Sequence, residues 1–357
     1  MNSAASHPNL RNAFVGVLLG TAVGDALGLP AENLSPERIK RRWNGEWRMR
    51  LLFGRGMISD DTEHTLMVAQ ALLSHPHDAT AFQRALGWKL RWWFAGLPGG
   101  VGLATARACL KLWIGFPANK AAVASAGSGP AMRSAIIGAY FANNAERRRE
   151  FVLASSRLTH RSWQAEIAAL AVAECVALAV QMQTQPEPRP VLELLRSLTG
   201  ESEWQKWVLQ IESALATNQS VSEFVRSAGL ERGVTGYSLH VVPVAIYAWL
   251  RHPGDFRAVM INTLECGGDT DTVGAILGAL MGATIGKQGI PSDWFDNICD
   301  WPRSISFMGR VAARLAEQKQ TQQPAGAVHY FWLGLIPRNI LFLAVVLLHG
   351  LRRLAPF

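Results

Sequence analysis

The chain has 357 residues, enough for one large domain or two ordinary ones. Its hydrophobic share of 49 % excludes a chain too polar to bury a core, and its charged share of 17 % is low for a wholly soluble surface. The net charge of +8 is concentrated in two stretches, residues 38–55 and Arg147-Arg148-Arg149. Such runs are solvated faces first, and sites for a phosphorylated ligand, nucleic acid or anionic lipid second.

In chain order, Met1 to Leu10 is polar and lacks a basic leader region. The apolar stretch behind it carries Asp25 and no clear cleavage site, so no signal peptide is expected. Helix-length apolar stretches occupy residues 14–29, 62–73, 81–94, 164–183, 239–250 and 272–286. Turn signals separate them at Leu97-Pro98-Gly99-Gly100, Ala126-Gly127-Ser128-Gly129-Pro130 and His252-Pro253-Gly254. Pro186, Pro188 and Pro190 mark another loop. No run of alternating strand residues and no solenoid repeat is evident. The pattern predicts a compact all-α fold of many helices. Cys109, Cys175, Cys266 and Cys299 have no CxxC spacing, which argues against zinc and a disulfide framework and for a reducing, cytoplasmic setting.

Glycines recur every four residues at Gly16, Gly20, Gly24 and Gly28, and again at Gly274, Gly278, Gly282 and Gly286. Glycine inside a helix costs roughly 1 kcal/mol relative to alanine, so two such ladders need a reason. Close helix–helix approach supplies one. An antiparallel crossing would bring Asp25 and Glu32 near Asp269 and Asp271.

The composition changes near residue 319. A main domain over 1–318, a polar linker over 319–328 and an apolar helix over 329–357 are expected. Pro337, Arg338 and Asn339 interrupt that last stretch, leaving an apolar run too short to span a bilayer. Docking on the core, contact with a second copy, or association with a membrane surface would each suit it.

Two acidic clusters lie about two hundred residues apart: Ser59-Asp60-Asp61-Thr62 and Gly267-Gly268-Asp269-Thr270-Asp271-Thr272. Either alone reads as a helix N-cap, and Asp60 with Glu63 resembles a capping box. A cap needs one side chain, however, and crowding carboxylates is unfavourable unless a cation offsets them. Hard oxygen donors in this density suit Mg²⁺ or Mn²⁺.

These clusters belong to a longer series of motifs. Leu19-Gly20-Thr21-Ala22-Val23-Gly24-Asp25-Ala26-Leu27-Gly28 with Glu32 opens it. Gly127-Ser128-Gly129-Pro130-Ala131-Met132-Arg133 and Thr159-His160 lie between the two clusters. In this order, over residues 11–300, the chain resembles the ADP-ribosylglycohydrolase family. The last motif is highly specific, and the glycine–aspartate opening nearly so.

The resemblance implies an all-α fold and two Mg²⁺ or Mn²⁺ ions at the distal ribose of ADP-ribose. It assigns metal ligation to Ser59, Asp60, Asp61, Asp269, Asp271 and Thr272. Asp60 and Asp61 would thereby share in catalysis with Glu32, which would assist a water at the scissile bond. Gly127, Ser128, Gly129, Met132 and His160 would contact the ligand. The implied reaction removes ADP-ribose from a protein side chain or small acceptor, and nucleic acid is not favoured. Alternatives are a non-catalytic, crystallin-like or ADP-ribose-binding member, and another Mg²⁺-dependent nucleotide hydrolase.

Ser59 replaces the more usual threonine, and Ser128 a common asparagine. Pro130 removes a backbone donor from the glycine loop. Residues 119–126 hold no carboxylate to recognise an arginine guanidinium. Trp92 and Trp93 read as packing residues ahead of an adenine stack.

Overall fold

Glycine every fourth residue strips one stripe of a helix to its backbone, and two such stripes can meet carbonyl to Cα. The computed structural model describes residues 7–182, 184, 186–252 and 254–354. Residues 1–6 and 355–357, Gln183 at the end of one expected helix and Pro253 in one expected turn lie outside the described residues.

The chain order begins α1 (His7–Gly28), α2 (Pro36–Trp43), α3 (Asp60–Ser74), α4 (Ala79–Ala95), α5 (Leu103–Trp113) and α6 (Gly129–Met132). It continues α7 (Ala135–Tyr140), α8 (Ala145–Ser156), α9 (Trp163–Met182), α10 (Pro188–Ser197), α11 (Ser202–Ala216) and α12 (Val221–Ser227). It ends α13 (Ser238–Arg251), α14 (Phe256–Leu264), α15 (Thr270–Ile285), α16 (Ser292–Phe295), α17 (Ile305–Thr321) and α18 (Leu335–Leu354). Among the described residues there is no strand, only isolated bridges between loops. The fold is all-α, as the pattern predicts, and all four thiols are free.

α1 and α15 run antiparallel through the centre. Gly16 faces Gly282, Gly20 faces Gly278, Gly24 faces Gly274, and Gly28 faces Thr270. A Cβ on Gly20 would lie 1.9 Å from the Gly278 carbonyl oxygen, and one on Gly24 1.8 Å from that of Gly274. The fourth expected rung, Gly286, instead ends α15 with φ +66° and sits against Asn12. α3, α7, α9, α13 and α14 pack around α15, so every residue from Thr270 to Ala283 is buried. Gly278→Ala is expected to lower stability by about 3 kcal/mol, the upper end for overpacking. Gly309→Ala, in α17 with open space beside it, should be neutral or stabilising by up to about 1 kcal/mol. Urea midpoints of the two variants check the contrast.

α17 extends through Thr321 into the segment expected to be a linker. Beyond it the chain is pinned to α3 and α17. Ala325 donates to Gln318 Oε1, Gly326 to the Leu73 carbonyl, and Val328 to Gln70 Oε1. α18 then runs unbroken through Pro337, Arg338 and Asn339, contrary to the expected interruption. Pro337 lies in the first turn, where an N–H has no helical partner to lose.

By length and composition alone, three segments could cross a membrane: Leu10–Ala31, Trp163–Met182 and Trp332–Arg352. The first two are 94 % and 67 % buried inside the protein, the third 33 %. α18 docks one face on the core through Leu335, Arg338, Asn339, Phe342 and Val345. Arg338 pairs with Asp300 at 2.6 Å, and Asn339 donates to the Gly96 carbonyl at 2.7 Å.

Candidate active site

The α1–α15 crossing carries the two acidic clusters to one end of the molecule. α3 starts at Asp60, and its N-cap is Ser59, whose hydroxyl accepts from the Asp61 N–H. The box between Asp60 and Glu63 does not form. Glu63 turns inward instead, to Arg303 at 2.8 Å, Arg338 at 3.4 Å and the Trp93 indole N–H at 2.5 Å. Two buried guanidinium groups need counter-charge more than a helix end already capped by Ser59 needs another cap from Glu63. Asp25, reaching across from α1, caps α3 as well. Its carboxylate accepts from the Ser59 N–H at 2.9 Å, the Thr62 N–H at 3.2 Å and the Thr62 hydroxyl. Burial raises the Asp25 pKa to about 6. Asp25 thus supports the first cluster from behind.

The second cluster is held by its glycines. Gly267 and Gly268 have φ +71° and +85°, and a Cβ on Gly268 would meet the Val234 carbonyl oxygen at 2.0 Å. Backbone bonds strap this turn on both sides. Asn33 donates to the Gly268 carbonyl, Gly268 to that of Leu34, and Asp269 to that of Val234. Glu32 and loop 230–237 are thereby fixed beside Asp269 and Asp271.

The result is a cleft of about 620 Å³. Glu32, Asp60, Asp61, Gly127, Ser128, Gly129, Met132, His160, Asp269, Asp271 and Thr272 all line it; of the residues expected at the site, only Ser59 does not. The two clusters touch, because the Thr272 hydroxyl donates to Asp61 Oδ2 at 3.4 Å and the Ser59 hydroxyl to the same oxygen at 3.3 Å. Asp61 Oδ1 and Asp271 Oδ1 are buried with no hydrogen-bond partner among the described residues.

Burial first, then the charges of Asp60, Asp25 and Asp269, hold the Asp61 carboxyl well above the usual range. Burial, then Glu32, Asp269 and Asp61, do the same at Asp271. Against five lining carboxylates the described lining offers one charged cation, Arg232. Among the described residues no three His, Cys, Asp or Glu side chains already form a metal cage. A Mg²⁺ site need not have one, since it keeps several waters and takes few carboxylates. Two orphaned carboxylate oxygens beside two hydroxyls fit such an ion.

In the glycine loop most backbone donors are already taken. Gly127 N–H is spent on the Ser125 hydroxyl, Ser128 N–H on the Gly236 carbonyl, and Pro130 has none. The loop is therefore not a run of free donors, and the helix it opens is a single turn. Its glycines make room for His160: a Cβ on Gly129 would lie 2.9 Å from the ring and one on Gly127 3.2 Å. His160 Nδ1 sits 2.9 Å from the Thr159 hydroxyl, which accepts from buried Arg133. That hydroxyl has its own proton to give, and Nδ1 is the acceptor at hand, which assigns the ring N–H to Nε2. Burial, then Arg133, lowers the His160 pKa to about 3, so the ring is neutral.

Trp93 is buried and Trp92 packs edge-on against Trp88, Trp113 and Trp332; neither lines the cleft. Sequence reasoning missed Thr105, Arg232, Thr235 and the strap from Gly233 to Gly236. Its two glycines after an arginine were the only signal.

A family model described as ADP-ribosylglycohydrolase matches residues 6–325. An Archaeoglobus fulgidus sequence named "Uncharacterized protein" is 30 % identical over 314 residues, covering 86 % of this chain and 97 % of its own. The ADP-ribosyl-(dinitrogen reductase) glycohydrolase of Rhodospirillum rubrum is 25 % identical over 301 residues, covering 82 % and 92 %. A solved structure described as an ADP-ribosylglycohydrolase-related protein complex superposes with a TM-score of 0.63 at 25 % identity, covering 87 % of this chain and 99 % of its own.

Proposed function

The chain belongs to the ADP-ribosylglycohydrolase family, and from that premise we propose that it hydrolyses the glycosidic bond joining ADP-ribose to a protein side chain or small acceptor. The observation that carries this reading is the pair of buried, unpartnered oxygens, Asp61 Oδ1 and Asp271 Oδ1, one from each cluster in a single cleft. With Asp60, Asp269 and Thr272 they would hold two Mg²⁺ or Mn²⁺ ions. What such ions supply is Lewis acidity toward a ribose diol and a water.

The chain's own residues do the rest. Glu32, on the cleft wall beside Asp271, takes or gives the proton of the attacking water and leaving group. The His160 N–H points a neutral donor at the ligand. Arg232 supplies positive charge for a diphosphate.

The test is release of free ADP-ribose by the full-length protein. Substrates are proteins modified on arginine, serine or acidic side chains, with Mg²⁺, Mn²⁺ or a chelator. Release from at least one linkage, abolished by chelation and restored by the cation, is expected. Tight ADP-ribose binding without release at any linkage would assign a binding role instead. Release indifferent to chelation would reject the metal.

A further inference from the structure

The active cleft accounts for one end of the molecule but not for α18. Every exposed position of α18 from Ile336 to Leu351 is apolar, among them Ile340, Leu343 and Leu347 at 58 %, 45 % and 58 % exposure. They fall at helical spacing into one stripe about 24 Å long. A monomer in water rarely leaves so large an apolar face uncovered.

The surroundings identify what covers it. At the C-terminal end of the stripe, Arg42, Arg48, Arg50, His349 and Arg352 line one shallow depression, and Arg42 donates to the Arg352 carbonyl at 3.0 Å. Residues 36–55 carry seven Arg or Lys against two Glu. Between Arg50 and Arg55, Phe53 stands 99 % exposed. An apolar helical face bordered by cations with an isolated aromatic beside it matches the headgroup and acyl layers of an anionic bilayer.

We propose that the protein rests on anionic membrane through the outward face of α18 and the basic segment 36–55. A second copy is disfavoured because α18 contains no carboxylate to meet the cations of its partner. A bilayer span is disfavoured because it would pull Arg338 and Asn339 from the core and strand buried Asp300. The helix therefore lies flat, with its docked face still on the protein.

The experiment is flotation of the full-length protein with vesicles of phosphatidylcholine alone or mixed with phosphatidylglycerol. Flotation with the anionic vesicles only, reversed by high salt, is expected. Arg48→Ala and Arg352→Ala should each weaken partitioning about fivefold. The exposed pair Ile340→Ser with Leu347→Ser should abolish it while the melting temperature and ADP-ribose release from a dissolved substrate stay unchanged. That last readout keeps this proposal separate from the catalytic one. Equal flotation with neutral vesicles, or none with either, overturns it. So does a light-scattering dimer dissolved by the serine pair, which would assign the face to a second copy. Retention in membranes through alkaline carbonate extraction would establish a span and overturn it too.

Discussion

Glu32→Gln is expected to lower turnover about 10²–10⁴-fold, the range for a lost general acid–base group. Glutamine keeps the size and can still accept from the Asn33 side chain, which bonds Glu32 Oε1 at 2.9 Å. It cannot exchange a proton with a water or leaving group. Affinity for free ADP-ribose should therefore hold within several-fold, since the cleft's shape and its other carboxylates are intact. Single-turnover kinetics separate the two effects. Wild-type turnover would remove Glu32 from the chemistry. Equal losses of binding and turnover would make it a binding residue.

Arg338→Met has the largest expected effect on stability. Arg338 on α18 pairs with Asp300 and Glu63, and Arg303 completes the pairing at Glu63. All four side chains are at most 5 % exposed. Removing one cation leaves Asp300 buried and uncompensated, a cost of about 3–5 kcal/mol. The loss reaches the site, because Asp300 also accepts the Ile58 N–H and Arg338 donates to the Ile58 carbonyl, one residue before Ser59. Arg338→Met with Asp300→Asn restores charge balance and should recover part of the loss, read from urea midpoints. Removing the chain beyond about residue 320 should be at least as damaging. A truncated protein of undiminished stability would show that this ion network does not hold the fold.

The sequence was most legible where one residue type must recur. The glycine ladders admit few explanations, and they predicted both the crossing and the meeting of Glu32 with the second cluster. The six apolar stretches each match a helix to within one residue at its end, Gln183 lying outside the described residues. α1 and α15 show the reason, since a helix buried on nearly every side is apolar on nearly every side. Amphipathic helices such as α11 and α14 were missed because their buried residues occupy only one face and polar residues interrupt the apolar run.

What stayed hidden depends on long-range pairing. Glu63 looks like a cap partner until Arg303 and Arg338 arrive from the far end of the chain. Arg133 looks like the end of a motif, yet it bonds His64, Ser155 and Thr159 and so orients His160. Pro337 looks like a break, but at a helix's first turn it costs nothing. Arg232 and the strap through Gly233 became visible only when Val234 was found bonded to the second cluster's backbone.

The central claim is that two clusters two hundred residues apart form one divalent-cation centre. Calorimetric titration of Mn²⁺ into chelator-stripped full-length protein tests it most directly, with Asp61→Asn and Asp271→Asn alongside. Both are buried carboxylates with one orphaned oxygen, so the neutral amide keeps the shape and removes the charge. The account predicts saturable binding in the wild type, weakened at least about tenfold by either substitution, with the double variant little worse than the singles. Binding unchanged in both variants, or strictly additive losses from two independent sites, would contradict it.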